Sequence, residues 1–133
     1  LAGPREFVER AWAIKHRVGG AMRQAGMMAA GCLHALDHHV ARLADDHANL
    51  RRLAEGLAAL GVTTTPPDTN ILFIDPASVG REAGELQAAL LARGVRTSVV
   101  WGRLRMVTHL DVDAGGVERA LTAVAAELGR SAG

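Results

Sequence analysis

The strongest constraint in the sequence is the spacing of its apolar residues between positions 40 and 60. Apolar side chains, with one histidine among them, recur there every three or four residues: Val40, Leu43, His47, Leu50, Leu53, Leu57 and Leu60. This spacing puts them on one face of an α-helix, and six of the fourteen other positions carry Arg, Asp or Glu. The pattern predicts an amphipathic helix, and Gly61 follows it as a typical C-terminal cap.

The segment before this helix is also predicted to be helical. Pro4 is well placed to begin a helix that runs to about Lys15, and Gly19-Gly20 then interrupts the apolar pattern. A second helix is predicted at residues 22–35, followed by a kink or break near 37–39. Small and apolar residues occupy nearly every side of residues 22–35, which favours burial on several faces and close approach of another helix or chain.

Strand signals begin after Gly61. Helices are predicted at 82–92 and 114–128, and short runs rich in β-branched and apolar residues predict strands at 62–65, 69–75, 95–100 and 104–110. In the last of these, alternation puts four residues on one face: Leu104, Met106, Thr108 and Leu110. Residues 1–60 are therefore expected to be helical, and residues 61–133 to form a small α+β unit.

Composition argues against several classes of function. The formal net charge is +1, so the sequence indicates no basic surface for nucleic acid or an anionic membrane. No apolar run approaches the length of a membrane span. The single cysteine, Cys32, cannot form an internal disulfide and fits a reducing compartment such as the cytoplasm. We expect it to be a small buried apolar residue.

Arg23 is a candidate anion-binding residue. It follows Gly19-Gly20-Ala21 and is predicted to lie in the first turn of the second helix. A helix N-terminus presents unpaired N–H groups and a partial positive charge, so a glycine-rich approach with an arginine fits a phosphate site. The same residues fit an ordinary loop whose arginine pairs with a carboxylate, and composition alone favours this loop, because two glycines before a helix are a weak signal.

Three histidines lie near the end of the second helix: His34, His38 and His39. His34 and His38 are one helical turn apart, which is the spacing of a two-histidine zinc site. No acidic residue follows His34 in the position of a general base, and no third ligand is evident nearby. The pattern therefore favours solvated or hydrogen-bonded histidines at a helix kink over a metal site.

Arg105 and His109 alternate with apolar residues in the strand predicted at 104–110, so both are expected on one face of the sheet. If that face lines a cleft, the planar guanidinium of Arg105 is suited to bind a carboxylate. If the face is open to solvent, the two residues have no such role. The sequence alone does not distinguish a cleft-lining face from a solvent-facing one.

Four blocks, in this order along the chain, carry a resemblance to a known family: residues 19–26, 35–49, 69–70 and 105–111. With these blocks the sequence resembles the low-specificity L-threonine aldolases. They are pyridoxal-phosphate enzymes of the aspartate-aminotransferase-like fold, in the aromatic amino-acid β-eliminating lyase/threonine aldolase group. The resemblance implies an α/β fold, of which this chain is an α+β part. Residues 1–36 would form the end of the large cofactor-binding domain, and residues 37–60 would form a connecting helix. Residues 61–133 would form the small domain with a short, mainly antiparallel sheet.

The resemblance also implies that this is the C-terminal portion of a longer enzyme. In the family, the Schiff-base lysine lies shortly before the segment that matches Leu1-Ala2-Gly3, and Lys15 is not at that position. We therefore expect no catalytic residue and no metal ligand in this chain, and no activity from it alone. A homo-oligomer, dimer or tetramer, is expected.

The implied reaction cleaves L-threonine or L-allo-threonine to glycine and an aldehyde, with pyridoxal 5′-phosphate as cofactor. Arg105 matches the arginine that binds the substrate α-carboxylate. Arg23 matches an arginine that reaches the cofactor phosphate, in the neighbouring subunit's site. His16 occupies a position where many members have a lysine of similar role, whereas His109 and Asp111 match positions of structural role.

Two alternatives to this reading remain. The first is a related pyridoxal-phosphate enzyme, a β-eliminating lyase, dehydratase or racemase, which would share Arg105 and the cofactor. The second belongs to another class: a non-catalytic helical interaction module, which is favoured if this chain is a complete gene product, since it has no lysine at the Schiff-base position.

Overall fold

The computed structural model describes residues 1–130, which form two compact units, Leu1–Val40 and a second that begins at Ala41. The first unit has two helices, α1 (Arg5–Arg17) and α2 (Ala25–His38). The second has α3 (Leu43–Ala59), β1 (Ile71–Ile74), a 3₁₀ turn (Pro76–Val79), α4 (Ala83–Ala92), β2 (Ser98–Val100), β3 (Arg103–Val107) and α5 (Ala114–Glu127). Within residues 1–130, no helix is both long and apolar enough to span a bilayer.

Both helices predicted in the first unit form, with shifted bounds. Pro4 occupies the N-cap position of α1, and Gly19 beyond its end adopts a left-handed conformation with φ of 77°. The α2 helix starts three residues later than predicted because Gln24 is itself left-handed, with φ of 54°. The expected burial of α2 was wrong, since neither helix has a buried residue. Nothing approaches the missing Cβ positions of Gly26 and Gly31 within 4 Å.

The predicted amphipathic helix is confirmed as α3, and the expected break after α2 is present at residues 39–42. Leu50, Leu53 and Leu57 are buried, as the apolar spacing predicts. Gly61 follows the helix in a left-handed conformation with φ of 69°, in the role expected of a cap glycine.

The sheet is antiparallel, with strand order β1-β3-β2. The strand predicted at residues 62–65 was wrong, because this segment makes only one isolated bridge, Thr64 with Ile74. A two-residue turn joins β2 to β3. Trp101 and Gly102 there have φ of 50° and 74°, the left-handed values that tight hairpin turns require.

One face of the sheet packs against the three helices of the second unit. The core contains residues from every helix and from the two longer strands: Leu50, Leu57, Leu72, Ile74, Leu86, Leu90, Leu104, Met106, Val117 and Val124. Gly56 allows α3 and α5 to approach closely, since a Cβ there would overlap the methyl groups of Leu121. The other face of the sheet, which carries Arg105, lies away from this core.

Candidate functional site

Arg105 lies at the centre of the small sheet. Its strand, β3, is the middle one, and Arg105 is directly opposite Phe73 of β1 and Ser98 of β2. Leu104 and Met106, on either side of it, are buried in the core. Side chains alternate along a strand, so Arg105 projects from the opposite face of the sheet.

The guanidinium of Arg105 has no partner among the described residues. Its Nε atom is buried and makes no hydrogen bond, and no ion pair within residues 1–130 includes this side chain. A buried N–H donor without an acceptor costs on the order of 1–3 kcal/mol. A half-buried arginine with a free donor is therefore poised to accept an anion, and a planar carboxylate fits its fork best.

The end of β3 is held by a hydrogen-bonded cluster of three residues, Thr108, Asn70 and Asp46. Thr108 is fully buried, and its hydroxyl donates to the Asp46 carbonyl at 2.7 Å. Asn70 donates from Nδ2 to the Thr108 carbonyl at 2.8 Å. Strand alternation put Thr108 on the same face as Leu104 and Met106, but this cluster was not predicted. A threonine at a core-facing strand position was the one signal of it, because a buried hydroxyl needs a partner.

His109 lies outside the sheet. The prediction that the strand continues to Leu110 was wrong: β3 ends at Val107, and Leu110 is 60% exposed. Strand alternation therefore does not bring His109 together with Arg105. The exposed imidazole instead accepts a hydrogen bond at Nδ1 from the Asp111 backbone N–H, at 3.3 Å, which stabilises the turn.

Arg23 and His16 lie in the first unit, and both are exposed. Arg23 precedes α2 by two residues, so its predicted place in the first helical turn was wrong. It takes part in no ion pair within residues 1–130. His16 is hydrogen-bonded through Nδ1 to the Trp12 carbonyl at 2.9 Å, which leaves Nε2 free.

Arg23, His16 and the N-terminus of α2 each offer donors that suit a phosphate. These donors are a guanidinium without an ion pair, the Nε2 atom of an imidazole, and the first N–H groups of a 14-residue helix, which have no intrahelical acceptor. No side chain caps the N-terminus of α2. The residues present are therefore chemically compatible with a phosphorylated cofactor.

The three histidines at the C-terminal end of α2 cluster without forming a metal site. The rings of His34 and His38 are 4.4 Å apart, and His39 meets His34 edge-on at 5.4 Å. Over residues 1–130, no three His, Cys, Asp or Glu side chains are grouped to hold a metal ion. Cys32, expected to be buried, is exposed, because α2 has no covering element among the described residues.

A cavity of about 480 Å³ in the second unit lies at the C-terminal end of β3 and does not include Arg105. Three arginines line part of it: Arg93 is paired with Glu127 at 2.5 Å, Arg119 lies 3.9 Å from Asp113, and Arg96 takes part in no ion pair within residues 1–130. Asp111 adds a negative charge to the same wall. No buried unpaired group among the described residues lines this cavity, so nothing in it identifies a ligand.

Comparison with solved structures gives the class of protein. Over 94% of this chain and 35% of the other, the structure matches an aspartate aminotransferase of Thermus thermophilus (a tetra mutant complexed with tryptophan) with a TM-score of 0.63. The sequences are 20% identical, so the match defines the fold, which is that of pyridoxal-phosphate-dependent aminotransferases.

Sequence comparison then gives the family. Residues 1–78 match the beta-eliminating lyase family, and the chain belongs to it. The low-specificity L-threonine aldolase of Escherichia coli K12 is 41% identical over 113 residues, 84% of this chain and 33% of that protein. The low-specificity L-threonine aldolase 1 of Arabidopsis thaliana is 30% identical over 132 residues, 92% of this chain and 36% of that protein. The chain therefore spans about a third of the length of the curated relatives it matches.

Proposed function

We propose that this chain is the C-terminal part of a pyridoxal-phosphate-dependent aldehyde-lyase that cleaves L-threonine or L-allo-threonine to glycine and acetaldehyde. The observation that carries the proposal is the 41% identity to a low-specificity L-threonine aldolase over most of the chain. The family and the aminotransferase-like fold are both pyridoxal-phosphate-dependent. The free guanidinium on the outer face of the sheet supplies the group that such an enzyme needs for its substrate.

Arg105 is the proposed substrate-binding residue. All the substrates in question carry an α-carboxylate, and a two-pronged Arg–carboxylate contact fixes orientation as well as position. When bound, pyridoxal phosphate takes up the electron pair released at the substrate Cα. Cleavage of the Cα–Cβ bond requires that bond to be correctly oriented. Holding the carboxylate in place restricts the rotation of the other substituents of the substrate Cα. The unpaired, buried Nε of Arg105 supports this role.

Arg23 and His16 are the proposed phosphate-binding residues. Arg23 supplies a guanidinium without an internal partner, and the adjacent N-terminus of α2 adds peptide N–H groups. His16 contributes Nε2, since its Nδ1 is bonded to Trp12. We propose that these groups act in the site of a neighbouring subunit of a homo-oligomer.

The exposed apolar residues of the first unit support such an assembly. Trp12 in α1 and Met27, Leu33 and Leu36 in α2 are each at least 60% exposed, and large exposed apolar residues of this kind favour contact with another chain. We propose that residues 1–36 belong to the large domain, 37–60 connect, and 61–133 form the small domain. We further propose a cytoplasmic enzyme, for which the single free cysteine gives compositional support.

Product analysis on the full-length enzyme tests the proposed reaction. The enzyme, loaded with pyridoxal phosphate, is incubated with L-threonine, and glycine, acetaldehyde, ammonia, 2-oxobutanoate and D-allo-threonine are quantified. Aldol cleavage predicts glycine and acetaldehyde in equal amounts. Ammonia with 2-oxobutanoate would identify a dehydratase, and D-allo-threonine, formed by inversion at Cα alone, would identify a racemase; either as the main product would reject the aldolase. If L-threonine gives none of these products, a non-catalytic module would be favoured.

A further inference from the structure

Thr108 connects three elements of the second unit at the end of β3. Its backbone N–H donates to the Asn70 carbonyl at 3.0 Å. Its carbonyl accepts from Asn70 Nδ2 at 2.8 Å, and its hydroxyl donates to the Asp46 carbonyl at 2.7 Å. Thr108 is only 1% exposed, so its hydroxyl bond to Asp46 is shielded from water. Thr108 thereby joins β1 and β3 to α3.

Asn70 completes the ladder between β1 and β3 with its side chain. In the register that pairs Ile71 with Val107, the next pair is Asn70 with Thr108. Antiparallel hydrogen-bonded pairs normally exchange two backbone N–H···O bonds. Here the Asn70 side chain supplies the second donor, so the pair remains closed where the chain bends into β1.

Asp46 provides the hydrogen-bond acceptor on α3 to which the Thr108 hydroxyl donates. It is 3% exposed and lies in the first turn of α3, where Arg42 Nη2 donates to its carboxylate at 2.5 Å. The Asp46 carbonyl that accepts from Thr108 therefore belongs to a helix turn that is itself held by an ion pair. The end of β3 is thus anchored to a rigid element instead of a mobile loop.

We propose that Thr108 and Asn70 are positioning residues for Arg105, a proposal that rests on the function proposed above. Arg105 lies three residues before Thr108 on the same strand, and its guanidinium has no internal partner to fix it. Its location is therefore set by the backbone of β3, which these two residues hold in register and tie to α3. Displacements of well under 1 Å in such a group are enough to weaken a two-pronged carboxylate contact.

The first test is Thr108→Val in the full-length, cofactor-loaded enzyme. Valine keeps the shape and removes the hydroxyl donor to Asp46. We expect KM for L-threonine to rise about tenfold, with kcat and pyridoxal-phosphate affinity little changed. Thr108→Ser, which keeps the hydroxyl, restores KM. The control is Thr122→Val, which removes an exposed hydroxyl bond to the Glu118 carbonyl on α5. A loss of thermal stability with unchanged KM would overturn the proposal.

The second test is Asn70→Ala, compared with Asn49→Ala. Both changes remove an amide that donates to a backbone carbonyl at about the same distance, 2.8 Å to Thr108 and 3.0 Å to Val112. Only the first belongs to the β1–β3 ladder. We expect Asn70→Ala to raise KM several-fold more than Asn49→Ala. Equal effects of the two variants would contradict a positioning role for Asn70.

A double variant separates this proposal from the proposed function. If Thr108 acts through Arg105, then in an Arg105→Gln enzyme the further change Thr108→Val leaves KM unchanged, because the effects are not additive. Additive effects would overturn the positioning role. If Arg105→Gln alone leaves KM for L-threonine unchanged, the carboxylate role of Arg105 fails instead, whatever the result for Thr108.

Discussion

The two units of this chain differ in how far their apolar residues are buried. In the second unit, Leu50, Leu57 and Leu90 are completely buried in a core that the unit builds from its own helices and sheet. In the first unit, α1 and α2 have no buried residue at all, and Met27 and Leu36 are 78% and 66% exposed. Helices draw most of their stability from packing of an apolar face, so the second unit is self-sufficient and the first depends on other contacts.

The proposed ligand-binding residues are divided between these two units. The proposed carboxylate ligand, Arg105, lies on a strand that a complete core supports from behind. The proposed phosphate ligands, Arg23 and His16, lie in the unit whose apolar faces have no cover among the described residues. We therefore expect substitutions to have effects that depend on the unit, and the following predictions make that comparison quantitative.

The largest contrast is expected for leucine-to-alanine changes. Leu57→Ala removes a fully buried side chain and should lower the free energy of unfolding by about 2–5 kcal/mol through lost contacts and a cavity. Leu36→Ala, in α2, should change it by less than about 0.5 kcal/mol in the isolated chain. Urea denaturation of the 133-residue chain measures both. Comparable losses would show that α2 is packed and that the contrast is wrong.

The next largest effect concerns substrate binding. Arg105→Ala in the full-length enzyme should weaken productive binding of L-threonine by about 1.5–3 kcal/mol, or roughly 10- to 150-fold in kcat/KM. Arg103→Ala is a matched control, because Arg103 lies on the same strand and the same face but is exposed. Steady-state kinetics of the two variants provide the measurement. Equal effects, or none for Arg105, would reject the carboxylate role.

Glycine substitutions provide a smaller contrast. Gly56→Ala would overlap Leu121 and should destabilise the second unit by about 1–3 kcal/mol, as overpacking does. Gly31→Ala meets nothing within 4 Å and should stabilise α2 by up to about 1 kcal/mol, since alanine is the better helix former. Denaturation of the isolated chain measures the first and circular dichroism the second. If Gly31→Ala destabilises the full-length enzyme but not the isolated chain, another part of the enzyme packs closely against α2 at Gly31.

The smallest effect is expected at the phosphate. Arg23→Ala should weaken pyridoxal-phosphate binding by about 1 kcal/mol, roughly fivefold, because helix N–H groups share the anion. KM for L-threonine at saturating cofactor should not change. Arg10→Ala, which removes another exposed arginine from the same unit, serves as the control. An unchanged cofactor affinity for Arg23→Ala would remove this residue from the site.

The elements of the second unit could be predicted from the sequence because their signals are local. Apolar spacing identified α3, alternation identified β3, and Gly61 marked the end of α3. Strand lengths could not be predicted, because they depend on pairing with other strands. Residues 62–65 have strand-forming composition, yet they pair with the β1 segment only through one bridge, Thr64 with Ile74, and the backbone hydrogen bonds that flank it.

Less of the candidate site could be predicted. The sequence made Arg105 a candidate carboxylate ligand only through a family resemblance, since its own neighbours fit a solvent-facing pair equally well. Burial of its Nε and the cluster around Thr108 depend on residues up to 62 positions apart, which no local pattern connects. Cys32 was expected to be buried but is exposed, for a related reason. An apolar helix predicts that other residues pack against it, but not where in the sequence those residues lie.

The most direct test of the central proposal is a structure of the full-length enzyme with pyridoxal phosphate and a bound amino-acid substrate or glycine. The proposal predicts the substrate carboxylate within about 3 Å of the Arg105 guanidinium nitrogens, in a two-pronged contact. A carboxylate bound by other residues, with the Arg105 side chain directed into solvent, would contradict it.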